Sequence, residues 1–352
     1  MERIDMSDGL EQDLVGINEI AEIAGVSKQA VANWRARFPG FPDPVAELKS
    51  GPVFRRSQIR AWLRTRRVPM AHIVSTINLK GGVGKTHTTV ALAEVYSALF
   101  KKKVLVIDLD PQTNATTMLI GEEKWGKLNK DGHTLAQLFK DALDPDNPEF
   151  DLEKTLQKRV SDVQAARSVD LLPSSLDLID VQDRLATVPS GKFYAVNPIE
   201  LLSRAVKPII DDYDIVLIDC PPNLGIITLN GLRMSNGYII PTIPDILSTY
   251  GIPQIVKRVN EFSKQIAEPI EPFGIVVSKY REQSTVHQNV IKRLDKAGDA
   301  PLFDTVIKEN NQIASAAEYA PGKRTLKQKY GYQWQVDAYE SLGKEILGAL
   351  EG

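Results

Sequence analysis

Lys80-Gly81-Gly82-Val83-Gly84-Lys85-Thr86 decides the fold, because it lies between a strand-like run and a helix-like run. Ala71-His72-Ile73-Val74-Ser75-Thr76-Ile77-Asn78-Leu79 precedes it, and a helical pattern from Thr86 to about Leu99 follows. Glycines at a strand-to-helix turn let the backbone approach an anion closely. Backbone N–H groups and the partial positive charge of the helix N-terminus complete a phosphate cradle. In that setting Lys85 is expected on the β- and γ-phosphates of a nucleotide, and the Thr86 hydroxyl on Mg²⁺. Lys80 is a second lysine where such a loop needs only one.

Two further runs end in acids. Lys103-Val104-Leu105-Val106-Ile107-Asp108-Leu109-Asp110 is apolar until its tip, the mark of a buried parallel strand with functional groups at its carboxyl edge. Asp214-Ile215-Val216-Leu217-Ile218-Asp219 delivers one acid to a strand end, the Walker B pattern, which places Asp219 where it holds Mg²⁺ through water. Cys220-Pro221-Pro222-Asn223-Leu224-Gly225 then reads as a switch loop, with Cys220 as packing. Strand-like pieces at 169–174, 237–242 and 273–278, separated by helical patterns, predict an α/β, doubly wound, mostly parallel sheet. Residues 121–165 are polar and predict helices and loops.

The first 68 residues read differently. Ile17 to Ala24 has helical apolar spacing, Gly25-Val26-Ser27 makes a turn, and Lys28 to Arg37 resumes a helix with Ser27 as its N-cap and Ala30, Val31 and Trp34 inward. Gly51-Pro52-Val53-Phe54 reads as a short strand or wing, and Ser57 to Leu63 as a third helix. Between Ile20 and Val68 ten Lys or Arg face three Asp or Glu, a net of +7 in a chain whose total is −2. That local excess is the footprint of a nucleic-acid contact. Ser27, Lys28, Gln29, Asn33 and Arg35 are candidate DNA readers on the second helix, and Arg55 and Arg56 candidate phosphate contacts. The segment resembles a MerR-like or excisionase-like winged helix-turn-helix; a small three-helix dimerisation module is the other reading. The expected domains are 1–68 and 69–352.

Residues 80–86 match the deviant Walker A motif, and Asp108-Leu109-Asp110-Pro111-Gln112 with the Asp219 motif extends the match. The chain thereby resembles the ParA/MinD family of ATPases from about Ile73 to Leu347. The resemblance implies a P-loop NTPase fold, weak partner-stimulated ATP hydrolysis with Mg²⁺, and a homodimer formed on ATP. In it, Lys80 reaches the partner's nucleotide. Nucleotide contacts are implied for Lys80, Gly81, Gly82, Val83, Gly84, Lys85, Thr86 and His87. Catalytic roles fall to Lys80, Lys85 and Asp110, with Asp110 orienting water, and metal roles to Thr86, Asp108 and Asp219. The nucleotide is implied to be adenine-based, since no Asn-Lys-x-Asp box appears; Ser278-Lys279-Tyr280 departs from the usual family sequence, so no base contact is assigned to it.

Composition narrows the rest. One cysteine excludes a disulfide framework and a Cys-rich metal site within the chain. No apolar run approaches about 18 residues and Met1-Glu2-Arg3-Ile4-Asp5 is no signal peptide, so the expectation is a cytoplasmic, nucleoid-associated protein without a membrane partner. The tail from Tyr339 to Gly352 is acidic and glycine-broken, and is expected to pack on the core. ParA-like relatives imply a partition ATPase that binds DNA nonspecifically, answers to a ParB-like centromere-binding or other activating partner, and contacts an operator through its N-terminal domain. Lys257, Arg258, Arg281, Lys292, Arg293, Lys323, Arg324 and Lys327 are candidates for the nonspecific surface. A nucleotide-regulated repressor without cargo and a positioner of a protein assembly are the alternatives.

Overall fold

Continuous apolar strands flanked by helices build the larger part of the computed structural model, which describes residues 13–24, 28–37, 40–48, 50–65, 71–187 and 197–351. The chain forms two compact units, Met1–Ala71 with Val206–Asp214, and His72–Ala205 with Ile215–Gly352. The expected domain 69–352 contains Val206–Asp214, which instead groups with the first unit.

In the first unit three short strands, β1 (Leu14–Gly16), β2 (Ala46–Leu48) and β3 (Gly51–Arg55), form an antiparallel sheet in the order β1-β3-β2. Helices span Ile17–Ala24, Lys28–Arg37 and Arg56–Thr65. Val15, Ile20, Val31, Trp34, Phe41, Phe54 and Ile59 make the core, with Phe41 edge-on to both Phe54 and Trp62 at 5.4 and 4.8 Å. Asp13 caps the third helix: Ser57 N and Oγ donate to its two carboxylate oxygens at 3.0 and 2.8 Å, and that hydroxyl bond first of all lowers its pKa. Val31 and Trp34 face inward as expected, whereas the side chain of Ala30 lies outside the described residues.

The second unit holds seven parallel strands: β4 (His72–Thr76), β5 (Val104–Asp108), β6 (Val169–Leu172), β7 (Ile215–Asp219), β8 (Gly237–Thr242), β9 (Glu271–Tyr280) and β10 (Leu302–Lys308). Their order is β10-β9-β8-β4-β7-β5-β6. Every residue of β5, β7 and β8 is buried, as strands covered on both faces require. β10, absent from the sequence reading, is an edge strand in which only Phe303 and Ile307 are buried. Helices at Leu135–Asp141 and Leu152–Thr155 fill the segment predicted to lack strands. The tail forms a helix, Gln335–Glu351, whose Val336, Tyr339, Leu342 and Ile346 are buried in the core, and Tyr96 donates to Gly343 O at 3.1 Å. No described helix is long and apolar enough to cross a membrane.

A buried charged cluster ties this unit together. Lys329 Nζ donates to Glu94 Oε1 at 2.8 Å and to Asp162 Oδ1 at 2.7 Å, and Glu94 and Lys329 side chains are both 0% exposed. Tyr330 donates to Glu94 Oε2 at 2.7 Å, Ser161 Oγ to Oε1 at 2.7 Å, and Lys323 Nζ to Asp162 Oδ2 at 2.8 Å. Lys323, a candidate for the DNA surface, is thus paired with Asp162, its side chain 20% exposed. Burial raises the Asp162 pKa, but Lys329 and Lys323 outweigh it, and the net shift is downward.

Removing one partner of such a buried pair strands the others. Lys329→Met is expected to cost about 3–5 kcal/mol at pH 7, measured by urea unfolding. A depressed Asp162 pKa contributes stability that is complete above the unfolded value of about 3.9 and is lost as pH falls through the folded value. That part of the deficit should therefore be level from neutrality down to about pH 4 and shrink only below it, as Asp162 takes up its proton.

Candidate active site at the carboxyl ends of the central strands

β4, β7 and β5 are neighbours in register, so Thr76, Asp219 and Asp108 end at one level. The loop of residues 77–84 leaves β4 there and enters the helix Lys85–Ala98. Gly84 is the N-cap at φ 87° and Gly82 has φ 73°, left-handed values that favour glycine. A glycine N-cap has no side chain to satisfy the first-turn N–H groups, which leaves them for an anion. An added Cβ on Gly81 or Gly82 would meet nothing within 4 Å, so the outer side of the loop is open. The cavity beside it measures about 630 Å³ and is walled by Gly82, Lys85, Asp110, Lys279, Asn310 and Ile313 among others.

The two lysines point to different places. Lys85 is buried, donates to Lys80 O at 3.2 Å, and has its pKa lowered by burial against the pull of Asp219 and Asp110. Lys80 does not line the cavity; its ammonium is paired with Asp245, whose other oxygen accepts from Ser248 N and Oγ at 3.0 Å each. The Lys80 backbone is fixed as well, donating to Asn78 Oδ1 at 2.9 Å while Asn78 Nδ2 holds Pro241 O at 2.9 Å. Asp245 escaped the sequence reading because it lies 165 residues from Lys80.

Thr86 Oγ1 donates to Asp219 Oδ2 at 2.7 Å, while Asp219 Oδ1 is a buried acceptor with no hydrogen-bond partner. Burial raises the Asp219 pKa well above the ordinary value, and the nearby Asp108 carboxylate adds to it. An orphaned carboxylate oxygen beside a threonine hydroxyl, in a site with three acids, fits a hard divalent cation or its bound water. Thr86 and Asp219 are placed so that they could hold it.

Asp108 and Asp110 occupy different settings in the site. Asp108 Oδ2 accepts from Thr116 N and Oγ1 at 2.9 and 2.7 Å, and its Oδ1 from Asp110 N at 3.1 Å. Its oxygens thus brace the following turn; burial pushes its pKa up to about 7. Asp110 lines the cavity, held by Gln112 N on Oδ1 at 2.9 Å and by Ser174 Oγ on its carbonyl at 2.7 Å.

His87, also on the cavity wall, places Nε2 2.7 Å from Ile313 O, and burial lowers its pKa. Val83 is buried and does not line the cavity. Cys220 is fully buried and burial pushes its thiol pKa up, in keeping with packing.

The candidate DNA residues lie in the first unit. Lys28 is exposed, Arg55 and Arg56 are half-buried, and Arg35 is paired with Glu47 at 2.6 Å. Ser27 and the side chains of Gln29 and Asn33 lie outside the described residues. Of the basic residues proposed for a nonspecific surface, Arg281 is paired with Glu309 at 2.5 Å, whereas Lys257, Arg258, Lys292, Arg293, Arg324 and Lys327 are exposed.

Comparison with known proteins agrees with this geometry. The AAA domain family matches residues 71–271, from the approach to β4 through the first residue of β9. An uncharacterized protein of Pseudomonas putida is 32% identical over 279 residues, covering 79% of this chain and 95% of its own. The chromosome-partitioning ATPase Soj of Treponema pallidum is 29% identical over 272 residues, covering 77% and 95%. Among solved structures, apo McdA of Cyanothece superposes with a TM-score of 0.63 at 23% identity, covering 79% of this chain and 100% of that one, a likeness of fold. With the double-lysine loop, the in-register acids and these relatives together, the chain belongs to the ParA/MinD family of P-loop ATPases.

Proposed function

We propose that this ATPase is a DNA-partition switch: it dimerises on ATP, binds DNA nonspecifically as a dimer, and releases it on hydrolysis. The observation that carries the reading is the division of labour between the lysines. Lys85 is buried at the cavity, whereas Lys80 is directed out of it onto Asp245 and is available for exchange with a partner's phosphates. The relation to a chromosome-partitioning ATPase supports the same reading.

Thr86 and Asp219 would hold Mg²⁺, which would supply positive charge to stabilise the phosphates during transfer. Lys85 adds a second charge from within the same chain, and Asp110 on the cavity wall orients the attacking water. None of these groups is a strong general base, so turnover is slow, and an activating partner of the centromere-binding class accelerates it. Slow turnover suits a switch, because ATP then holds the dimer by its differential affinity for that state. The first unit, with its excess of positive charge, contacts an operator through Lys28, Arg55 and Arg56.

Lys85→Ala should abolish ATP binding in calorimetry, and Lys80→Ala should retain binding but lose the ATP-dependent dimer in analytical ultracentrifugation and drop turnover to background. Normal dimerisation and hydrolysis by Lys80→Ala would remove this reading. Asp245→Asn releases Lys80 from a half-exposed pair, so the dimer should form at about twofold to fivefold lower protein concentration. DNA binding with ATP should weaken with salt, log K falling against log salt by about 0.9 for each phosphate contact. A flat salt response would contradict nonspecific backbone binding.

A further inference from the structure

The carbonyls of the phosphate loop are held by side chains, and two of the holders come from the end of β9. Ser278 Oγ donates to Val83 O at 2.7 Å, and Lys279 Nζ donates to Gly82 O at 2.8 Å. A third carbonyl, Lys80 O, is held by Lys85 itself. No peptide bond among the described residues is cis. In a trans peptide the C=O and the following N–H point in opposite directions across one rigid plane. Fixing the carbonyls of Gly82 and Val83 against β9 therefore fixes the N–H groups of Val83 and Gly84 to point away from it. Gly82 and Gly84 have left-handed backbones and weak steric restraint on rotation of the adjoining peptide planes. Without such a holder the loop has other orientations open to it.

Lys279 shows a further mark of constraint. Its own φ is +48°, a left-handed value in a residue other than glycine, at the tip of the strand. Such a backbone is retained where the surroundings over-determine it. Ser278 is buried and packs 3.5 Å from the place a Cβ on Gly84 would occupy, so the loop and the strand end fit closely. Both residues line the same cavity as Lys85 and Thr86.

We propose that Ser278 and Lys279 are positioning residues of the ATPase site, which set the orientation of the phosphate loop by pinning the carbonyls of Val83 and Gly82. They act on the nucleotide through the N–H groups of Val83 and Gly84. The inference rests on the reading of this loop as the nucleotide's phosphate cradle. Its effect is common to every nucleotide with a phosphate in the cradle and does not depend on the γ-phosphate.

The experiment compares full-length Lys279→Met, Ser278→Ala, Lys279→Arg and Lys85→Ala for binding of fluorescent ATP and ADP analogues with Mg²⁺, and for KM and kcat of ATP hydrolysis. Losing one such bond should weaken ATP and ADP alike by about threefold to tenfold, raising KM with little change in kcat. Lys279→Arg should restore affinity, since a guanidinium also donates to the Gly82 carbonyl. Melting temperatures identify any variant whose loss comes from unfolding, and for such a variant Lys279→Arg against wild type remains the comparison. Unchanged binding by folded Lys279→Met and Ser278→Ala, with Lys85→Ala inactive, would overturn the proposal while leaving the nucleotide site intact. A Lys279→Met loss confined to ATP would overturn it too, showing a direct contact with the terminal phosphate. Retained binding by Lys85→Ala would instead remove the cradle reading itself.

Discussion

The register of three parallel strands is the constraint on which the site depends. β4, β7 and β5 pair residue for residue, so that Thr76, Asp219 and Asp108 arrive together at the carboxyl edge. A slip of one residue in any of them would turn its acid to the opposite face of the sheet. The strands are buried on both faces, which is why their apolar runs are continuous and why the register is strongly specified. The same arrangement crowds carboxylates in a dry place, and burial raises the pKa of both Asp108 and Asp219. Asp108 is accommodated by three hydrogen bonds, whereas Asp219 keeps one oxygen without a partner, and the site is left short of positive charge. A cation is what the strand geometry calls for.

The helix that follows the phosphate loop carries this order into the rest of the unit. Its first turn presents Lys85, Thr86 and His87 to the cavity, and its sixth to ninth residues, Val90 to Ala93, run through the core. Glu94, two and a half turns on, enters the cluster with Lys329, Asp162 and Tyr330. Breaking the cluster therefore loosens the element that begins at the nucleotide cradle. Being buried nearly all round, this helix has no solvent stripe, so its sequence lacks the amphipathic period that usually marks a helix. It was legible through the glycines before it.

Other features were legible for equally local reasons. The runs Val104 to Asp108 and Ile215 to Asp219 announce themselves because apolar continuity and a terminal acid are contained in a few consecutive residues. β10 escaped because an edge strand buries only Phe303 and Ile307, too few to show a period. β1 is three residues long and has no period at all. Lys329 reads as a surface lysine until the fold brings Glu94 and Asp162 to it from 235 and 167 residues away. Asp245, Ser278 and Lys279 belong to the same class: their partners on the phosphate loop are 165, 195 and 197 residues distant. Spacing along one chain cannot display such pairs, since the sheet order that creates them runs β9-β8-β4 against the order of the sequence.

Two of the lysine–carboxylate contacts of the second unit, Lys329–Glu94 and Lys80–Asp245, show how one chemistry serves opposite ends. Lys329 and Glu94 are wholly buried, and removing one charge leaves the other without compensation in a medium that tolerates it poorly. That pair is permanent. Lys80 and Asp245 keep side-chain exposures of 40% and 32%, so water and salt stand ready to replace either partner and the pair is worth little. In the proposed switch, a lysine that leaves its own subunit would need a resting place of that kind: strong enough to keep the ammonium from its own cavity, weak enough to be given up for a triphosphate. Asp245 meets the first condition because Ser248 fixes its second oxygen, and the second because solvent reaches the pair. Burial, not residue type, separates a structural ion pair from an exchangeable one.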